Sequence, residues 1–182
     1  MALIEPETDR LLLRQWRDSD KEPFSTLNAD PRVMEYFPSL LSRSESDSVA
    51  DRCKSLIADK GWGLWAAELK ESKLFIGFVG LHIPSDDLPF SPCVEIGWRL
   101  AYEHWGKGYA TEAALTALNV GFQQLLLDEI VSFTTLSNFK SQAVMKRIGM
   151  AMTETFEHPA LPKGSPLRKH CLYRLTGTQY AA

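Results

Sequence analysis

Cysteine is scarce and unpatterned in this chain. Cys53, Cys93 and Cys171 are the three among 182 residues, and they lie far apart. They form no C-x-x-C pair, and their odd number does not suit a disulfide framework. A disulfide-stapled scaffold and a cysteine redox or metal motif are both excluded, and a reducing, cytoplasmic setting is the expectation. Long apolar runs are lacking too. No stretch approaches the roughly 20 residues of a membrane span, and MALIEPETDR lacks the basic-then-apolar start of a signal peptide. Charge of one sign is not in excess. Twenty Lys and Arg against 23 Asp and Glu leave a net charge of −3, which gives no general pull toward nucleic acid or an anionic membrane. The four histidines show no metal-ligand spacing, so no metal is expected. No internal repeat or low-complexity block divides the chain. Its length suits one domain over residues 1–182 with a substantial core.

The periodicities present describe alternating strands and helices. Thr8 to Gln15 reads as a first strand. Asp18-Ser19-Asp20 offers N-cap chemistry for a helix running to about Asn28, and Asp30-Pro31 opens a short helical turn. Ser42 to Lys60 is a helix with Val49, Cys53, Leu56 and Ile57 at helical spacing and Gly61 as its stop. Gly63 to Leu69 and Leu74 to Ile83 are strands joined by a polar hairpin-like link. Pro84 to Pro92 is a loop with three prolines. Val94 to Leu100 is a strand with Val94, Ile96, Trp98 and Leu100 on one face and Glu95, Gly97 and Arg99 on the other. A helix from Ala110 to about Leu125 carries an apolar stripe at 3, 4, 7 and 8 spacing. A strand from Glu129 to Thr135, a helix from Asn138 to Gly149, and strands from Met150 to Glu157 and Arg168 to Leu175 complete the chain. The order predicts an α/β fold of the α+β kind, one mixed sheet with helices on both faces.

The residues between strand and helix at the centre draw attention. Trp105-Gly106-Lys107-Gly108-Tyr109-Ala110-Thr111 is a glycine turn at a helix start. Two missing Cβ atoms let the backbone bend or approach a ligand, and the first helical N–H groups make an anion site. A dinucleotide fingerprint needs a third glycine where Thr111 stands, and a nucleotide P-loop needs a longer loop and a Ser or Thr after the lysine. Both fail.

The segment Glu95 to Ala113 resembles the acyl-CoA-binding motif of the GNAT N-acetyltransferase superfamily, in its RimJ/RimL-like branch. Ile96-Gly97-Trp98 and Trp105 through Ala113 carry the likeness. Asn138, Ser141, Val144, Gly149 and Met150 form a second matching block. The third is Thr8 to Arg14 with Asp30-Pro31, Val33-Met34 and Phe37-Pro38. One position departs: Glu103 stands where the superfamily commonly has Gln or Arg.

The resemblance implies a single GNAT-type domain, with a mostly antiparallel sheet containing one splayed parallel pair. It implies acetyl transfer from acetyl-CoA to a primary amine by direct attack on the thioester, in a monomer or homodimer, with neither nucleic acid nor membrane as partner. Gly106, Lys107, Gly108, Tyr109, Ala110 and Thr111 would hold the pyrophosphate. Trp98, Arg99 and Leu100 would meet the pantetheine arm, with a backbone N–H there as oxyanion donor. Trp98 is equally a core aromatic. Asn138 would bond the pantetheine or acetyl region, or act as a turn or cap residue. Ser141 would protonate the departing thiolate, or serve as the N-cap of the next helix. Glu95 is the first candidate base, acting through a water, or a strand carboxylate paired with a neighbour such as Arg99; Glu112 ranks behind it. His170 is a further catalytic candidate, which would reach the active-site end of the sheet from the last loop and act as a base, or it would brace that loop by bonding to backbone. His82 and His104 are more remote. Trp16, Tyr36, Phe37 and Trp62 are candidates to line an acceptor cleft. A non-catalytic acyl-CoA-binding or sensing module is the alternative function, and a ribosome-bound accessory protein a third.

Overall fold

The computed structural model describes residues 2–85 and 87–181; Asp86, in the proline-rich loop, lies outside them. Seven strands form one sheet in the order β1-β2-β3-β4-β5-β7-β6. They are β1 (Leu11–Arg14), β2 (Leu64–Leu69), β3 (Phe75–His82), β4 (Glu95–Leu100), β5 (Glu129–Thr135), β6 (Ala151–Glu157) and β7 (Lys169–Thr176). All neighbours are antiparallel except β4 and β5. The mixed, mostly antiparallel sheet with one parallel pair is the expected architecture.

Four helices flank it: α1 (Lys21–Asn28), α2 (Arg43–Lys60), α3 (Tyr109–Asn119) and α4 (Phe139–Arg147), and a short α5 (Gly177–Tyr180) follows β7. The ends of α2 follow from local chemistry. The Ser42 side chain accepts from the Glu45 N–H and the Glu45 carboxylate accepts from the Ser42 N–H, a reciprocal cap. Gly61 closes the helix in the left-handed region at φ 81°. Asp30-Pro31 opens a single turn, in which the Met34 N–H donates to the Asp30 carbonyl at 3.0 Å.

One boundary differs from expectation, and a choice between two expected caps is decided. The α-helix after the glycine turn ends at Asn119, and Val120–Gln124 widens into a π turn. Packing accounts for the site of the change: a Cβ on Gly121 would lie 2.5 Å from Ile130 of β5, so only glycine lets the helix approach this close. Helix α4 is capped by Asn138, whose side chain accepts from the Ser141 N–H. Ser141 is therefore inside the first turn and is not the cap.

The sheet is buried between helices. On one side α1 sets Phe24 edge-on against Phe75 and Phe78 of β3. On the other, Gly121 of the π turn after α3 meets Leu81 and Ile130. Leu11, Leu13, Trp65, Ile76, Val79, Ile96 and Tyr173 belong to one continuous core. A smaller cluster of Leu88, Val131, Phe156 and Leu172 sits under the proline-rich loop.

Candidate active site

The parallel strands β4 and β5 hold together at one end only. Their single register pair is Glu95 with Val131. The Val131 N–H donates to the Val94 carbonyl, and the Ser132 hydroxyl donates to the Ile96 carbonyl, both at 2.9 Å. Past Ile96 the ladder stops. Backbone groups alternate sides along a strand, so Trp98 and Leu100 direct theirs into the split. The Leu100 carbonyl is taken by the Trp105 indole N–H at 2.8 Å. The Trp98 N–H, the Trp98 carbonyl and the Leu100 N–H have no partner across the split among the described residues.

Arg99 does not share that role. Its register partner is Phe78 of β3, and its side chain leaves the sheet on the opposite face. The expectation that Arg99 meets the pantetheine arm is corrected by strand alternation: its backbone faces β3. Trp98 packs against the core and lines the split at once.

The glycine turn lies beside the split. Gly106 and Gly108 have φ of 72° and 82°, the left-handed region that side chains with a Cβ resist. Gly108 is the N-cap of α3. The N–H groups from Gly106 to Thr111 donate to no acceptor among the described residues, and a Cβ on Gly106 would meet nothing within 4 Å. An open, donor-rich helix start of this kind suits an anion. Lys140, 4.8 Å over the Trp105 ring, and Arg147 line the same region. Both were missed in the sequence, since a helical lysine or arginine carries no local signal.

Glu103 turns outward to Arg32 at 3.3 Å. Glu112 is also withdrawn. It pairs with Arg10 at 2.6 Å, accepts from Thr8 and from the Arg10 N–H, and lies outside the cleft lining. Its pKa is pulled below the ordinary carboxylate value: burial opposes the shift, and the hydrogen bonds from Thr8 and Arg10 outweigh it.

A cleft of about 640 Å³ runs from the glycine turn through the split to the other face of the sheet. All four histidines line it. Glu95 and His82 are cross-strand partners, and their side chains meet at 2.8 Å between Oε2 and Nε2. Glu95 thus pairs with His82 and not with Arg99. The pairing was hidden from the sequence because a loop of a dozen residues separates the strands and their register is not readable. His170 is buried, with Nδ1 3.1 Å from the Arg168 carbonyl and its ring 5.0 Å from that of His158. Burial is the main cause holding its pKa below the usual imidazole value, with His158 adding to it and the Arg168 carbonyl opposing. His104 has a buried Nδ1 without a partner among the described residues.

Asn138 organises the end of the split. Its amide nitrogen donates to the Thr134 hydroxyl at 2.9 Å and to the Ser141 hydroxyl oxygen at 3.2 Å, while its carbonyl accepts from the Ser141 N–H. Both amide hydrogens are thereby committed. Of the aromatics expected at the acceptor cleft, Tyr36 and Phe37 line it. Trp62 lines an adjoining recess of about 330 Å³. Trp16 is core, with its indole N–H on the Leu64 carbonyl at 2.8 Å.

Residues 10–151 match the profile of the family described as "Acetyltransferase (GNAT) domain". The chain belongs to the GNAT acetyltransferase family. The "Uncharacterized protein YkkB" of Bacillus subtilis is 33% identical over 151 residues, 81% of this chain and 86% of that one. The "Uncharacterized N-acetyltransferase YnaD" of the same organism is 29% identical, over 87% and 88%. Among solved structures, a GNAT-family acetyltransferase from Bacillus anthracis superposes with a TM-score of 0.81 at 23% identity, over 96% and 99% of the two chains. A Vibrio cholerae spermidine N-acetyltransferase in complex with CoA and spermine matches at TM-score 0.74 and 21% identity, over 96% and 100%. Mycobacterium smegmatis RimJ in complex with CoA-disulfide matches at 0.74 and 19%, over 94% and 84%. This GNAT chain is an acyl-CoA-dependent N-acetyltransferase, moving an acetyl group from acetyl-CoA to an amine.

Proposed function

We propose that the acceptor is a primary amine, that it attacks the thioester directly, and that Glu95 with His82 removes its proton. The observation carrying this reading is the continuity of the cleft, which joins the glycine turn on one face to the Glu95–His82 pair on the other through the β4–β5 split. The N–H groups of Gly106 to Thr111, with Lys107, Lys140 and Arg147 nearby, hold the pyrophosphate. The Trp98 carbonyl and N–H position the pantetheine arm, and the Leu100 N–H is the oxyanion donor. Thr134, Asn138 and Ser141 form one chain of hydrogen bonds at the thioester end. The Ser141 hydroxyl, whose oxygen accepts from Asn138, gives its hydrogen to the departing thiolate and regains one from solvent.

An amine resembling lysine, with a pKa near 10.4, is mostly protonated at neutral pH. A base reached from the acceptor side therefore governs the rate. His170, whose pKa burial holds below the usual imidazole value, closes that side of the cleft and is a second, positioning group.

The RimJ/RimL-like branch is supported by the Trp105–Ala113 and Asn138–Met150 blocks and by the fold of RimJ. The equal fit of a spermidine N-acetyltransferase keeps polyamines beside protein N-terminal amines as acceptor classes. The deciding experiment is a thiol-release screen with acetyl-CoA against N-terminal peptides, polyamines, amino sugars and small amino compounds, repeated with Glu95→Gln. Removing a general base is expected to lower kcat/KM about 100-fold or more, with part of the loss recovered at alkaline pH, where more of the amine is already free. An unaltered rate and pH profile would remove Glu95 as base. CoA binding without thiol release from any amine would instead support a sensing module.

A further inference from the structure

We infer that Arg99 is the receptor for a carboxylate on the acceptor, so that the enzyme's substrates are amines that also carry a carboxylate. This rests on the acceptor reading of the cleft just given.

Arg99 leaves β4 on the same face as Glu95, with Gly97 between them. Its guanidinium lies 4.2 Å from the Phe37 ring centroid and 5.5 Å from that of Phe78. Nη1 donates to Asn28 Oδ1 at 2.7 Å. Nε is buried and donates to nothing among the described residues. Arg10, Arg14, Arg32, Arg43 and Arg174 each sit on a carboxylate. Arg99 faces none among the described residues, and burial without a counter-ion holds its pKa down at about 10.

A desolvated cation without a counter-ion is costly. An arriving carboxylate supplies the missing charge, and Nε with Nη2 offers the side-on edge of the fork to its two oxygens. The Phe37 ring, on the loop ahead of α2 and 37% exposed, covers the guanidinium and is the part that yields to admit it. One guanidinium balances one negative charge. A phosphate dianion would leave a charge unbalanced along the same strand face as Glu95.

The polarity of the wall fits a zwitterion. Glu95 stands at one end for the ammonium group and Arg99 at the other for the carboxylate. A Cβ on Gly97 would meet nothing within 4 Å, so the floor between them is open. At about 3.3 Å per residue the two backbone positions are roughly 13 Å apart, and the span left to the acceptor is that distance less the reach of any side chain directed along the strand. An extended amino carboxylate spans it, with its nitrogen at the base and its acid at the cation.

The test compares γ-aminobutyrate, ε-aminocaproate and glycylglycine, each against its own amide, in the thiol-release assay. The wild-type protein is expected to favour the carboxylates by about tenfold or more in kcat/KM, mostly through KM, since charged hydrogen bonds are the strong ones. Arg99→Met should bring the ratio to within about twofold, and Arg99→Lys should keep part of it. A second arm needs no turnover: titration of N-acetyl-ε-aminocaproate and its amide into the protein with CoA present. Stronger binding of the acid, lost in Arg99→Met, supports the receptor even if no amine releases thiol, in which case only the catalytic reading falls. Equal handling of acid and amide by the wild-type protein overturns the inference. So does an acid preference that survives in Arg99→Met.

Discussion

The Ser141 hydroxyl oxygen accepts from the Asn138 amide at 3.2 Å, and Asn138, not Ser141, caps α4. The arrangement separates two roles that a serine near a helix start usually confounds. Replacing Ser141 with alanine removes a proton donor and leaves the helix its cap. Ser141→Ala is therefore expected to lower kcat about 10- to 100-fold, with the KM for acetyl-CoA moving no more than about threefold. Thermal melting should barely change. Steady-state kinetics with the two substrates varied separately checks this; a raised KM with unchanged kcat would make Ser141 a structural residue only. Residue identities at this end of the split were legible because Asn and Ser stand at fixed offsets in a segment that resembles the family. The partner of Glu95 was not. Its nearest basic neighbour in sequence is Arg99, four positions on and on the same strand face, yet the contact runs across the sheet to His82.

At the scale of the element, the glycine turn couples backbone conformation to ligand binding. Gly108 sits at φ 82°, and a Cβ there would stand 3.4 Å from the Arg10 guanidinium, which also donates to the Lys107 carbonyl at 3.0 Å. The reason to need glycine is thus conformational more than steric. Valine, β-branched and barred from the left-handed region, would rotate the peptide planes on either side. The N–H groups of Lys107 to Ala110 would then no longer converge. Gly108→Val is expected to weaken CoA binding about tenfold or more in calorimetric titration, and unchanged affinity would sink the assignment of this turn. The turn and α2 were legible in advance because caps and glycines are local signals. The end of α3 was not, since its apolar stripe continues to Leu125 while the π turn depends on Gly121 fitting against Leu81 and Ile130, contacts between segments far apart in sequence.

The molecule as a whole is held at its β1 edge by buried charge, far along the sheet from the β4–β5 split. Arg14 donates to both oxygens of Asp20 at 2.8 Å and to Glu68 at 2.7 Å. All three side chains are nearly inaccessible, and only Arg17, on the rim, reaches Glu68 from solvent at 2.9 Å. The group ties β1 and β2 to the start of α1, the helix that carries Phe24 onto β3 and places Asn28 beside Arg99. The sequence shows Asp20 as a capping residue. Its carboxylate does accept from the Arg17 N–H at 2.7 Å, but its larger engagement is with Arg14, which only the fold reveals. Breaking such a network from one side strands the remaining charges, whereas forming it gained little over apolar packing. Arg14→Met leaves Asp20 buried without its cation and Glu68 with Arg17 alone. The expected loss is about 3–5 kcal/mol of folding stability, seen as a lower urea midpoint with little change in slope. Since no member of the network lines the cleft, the variant should keep the wild-type KM for acetyl-CoA when assayed well below its melting temperature. A changed KM at that temperature would mean that the network also sets the position of β4.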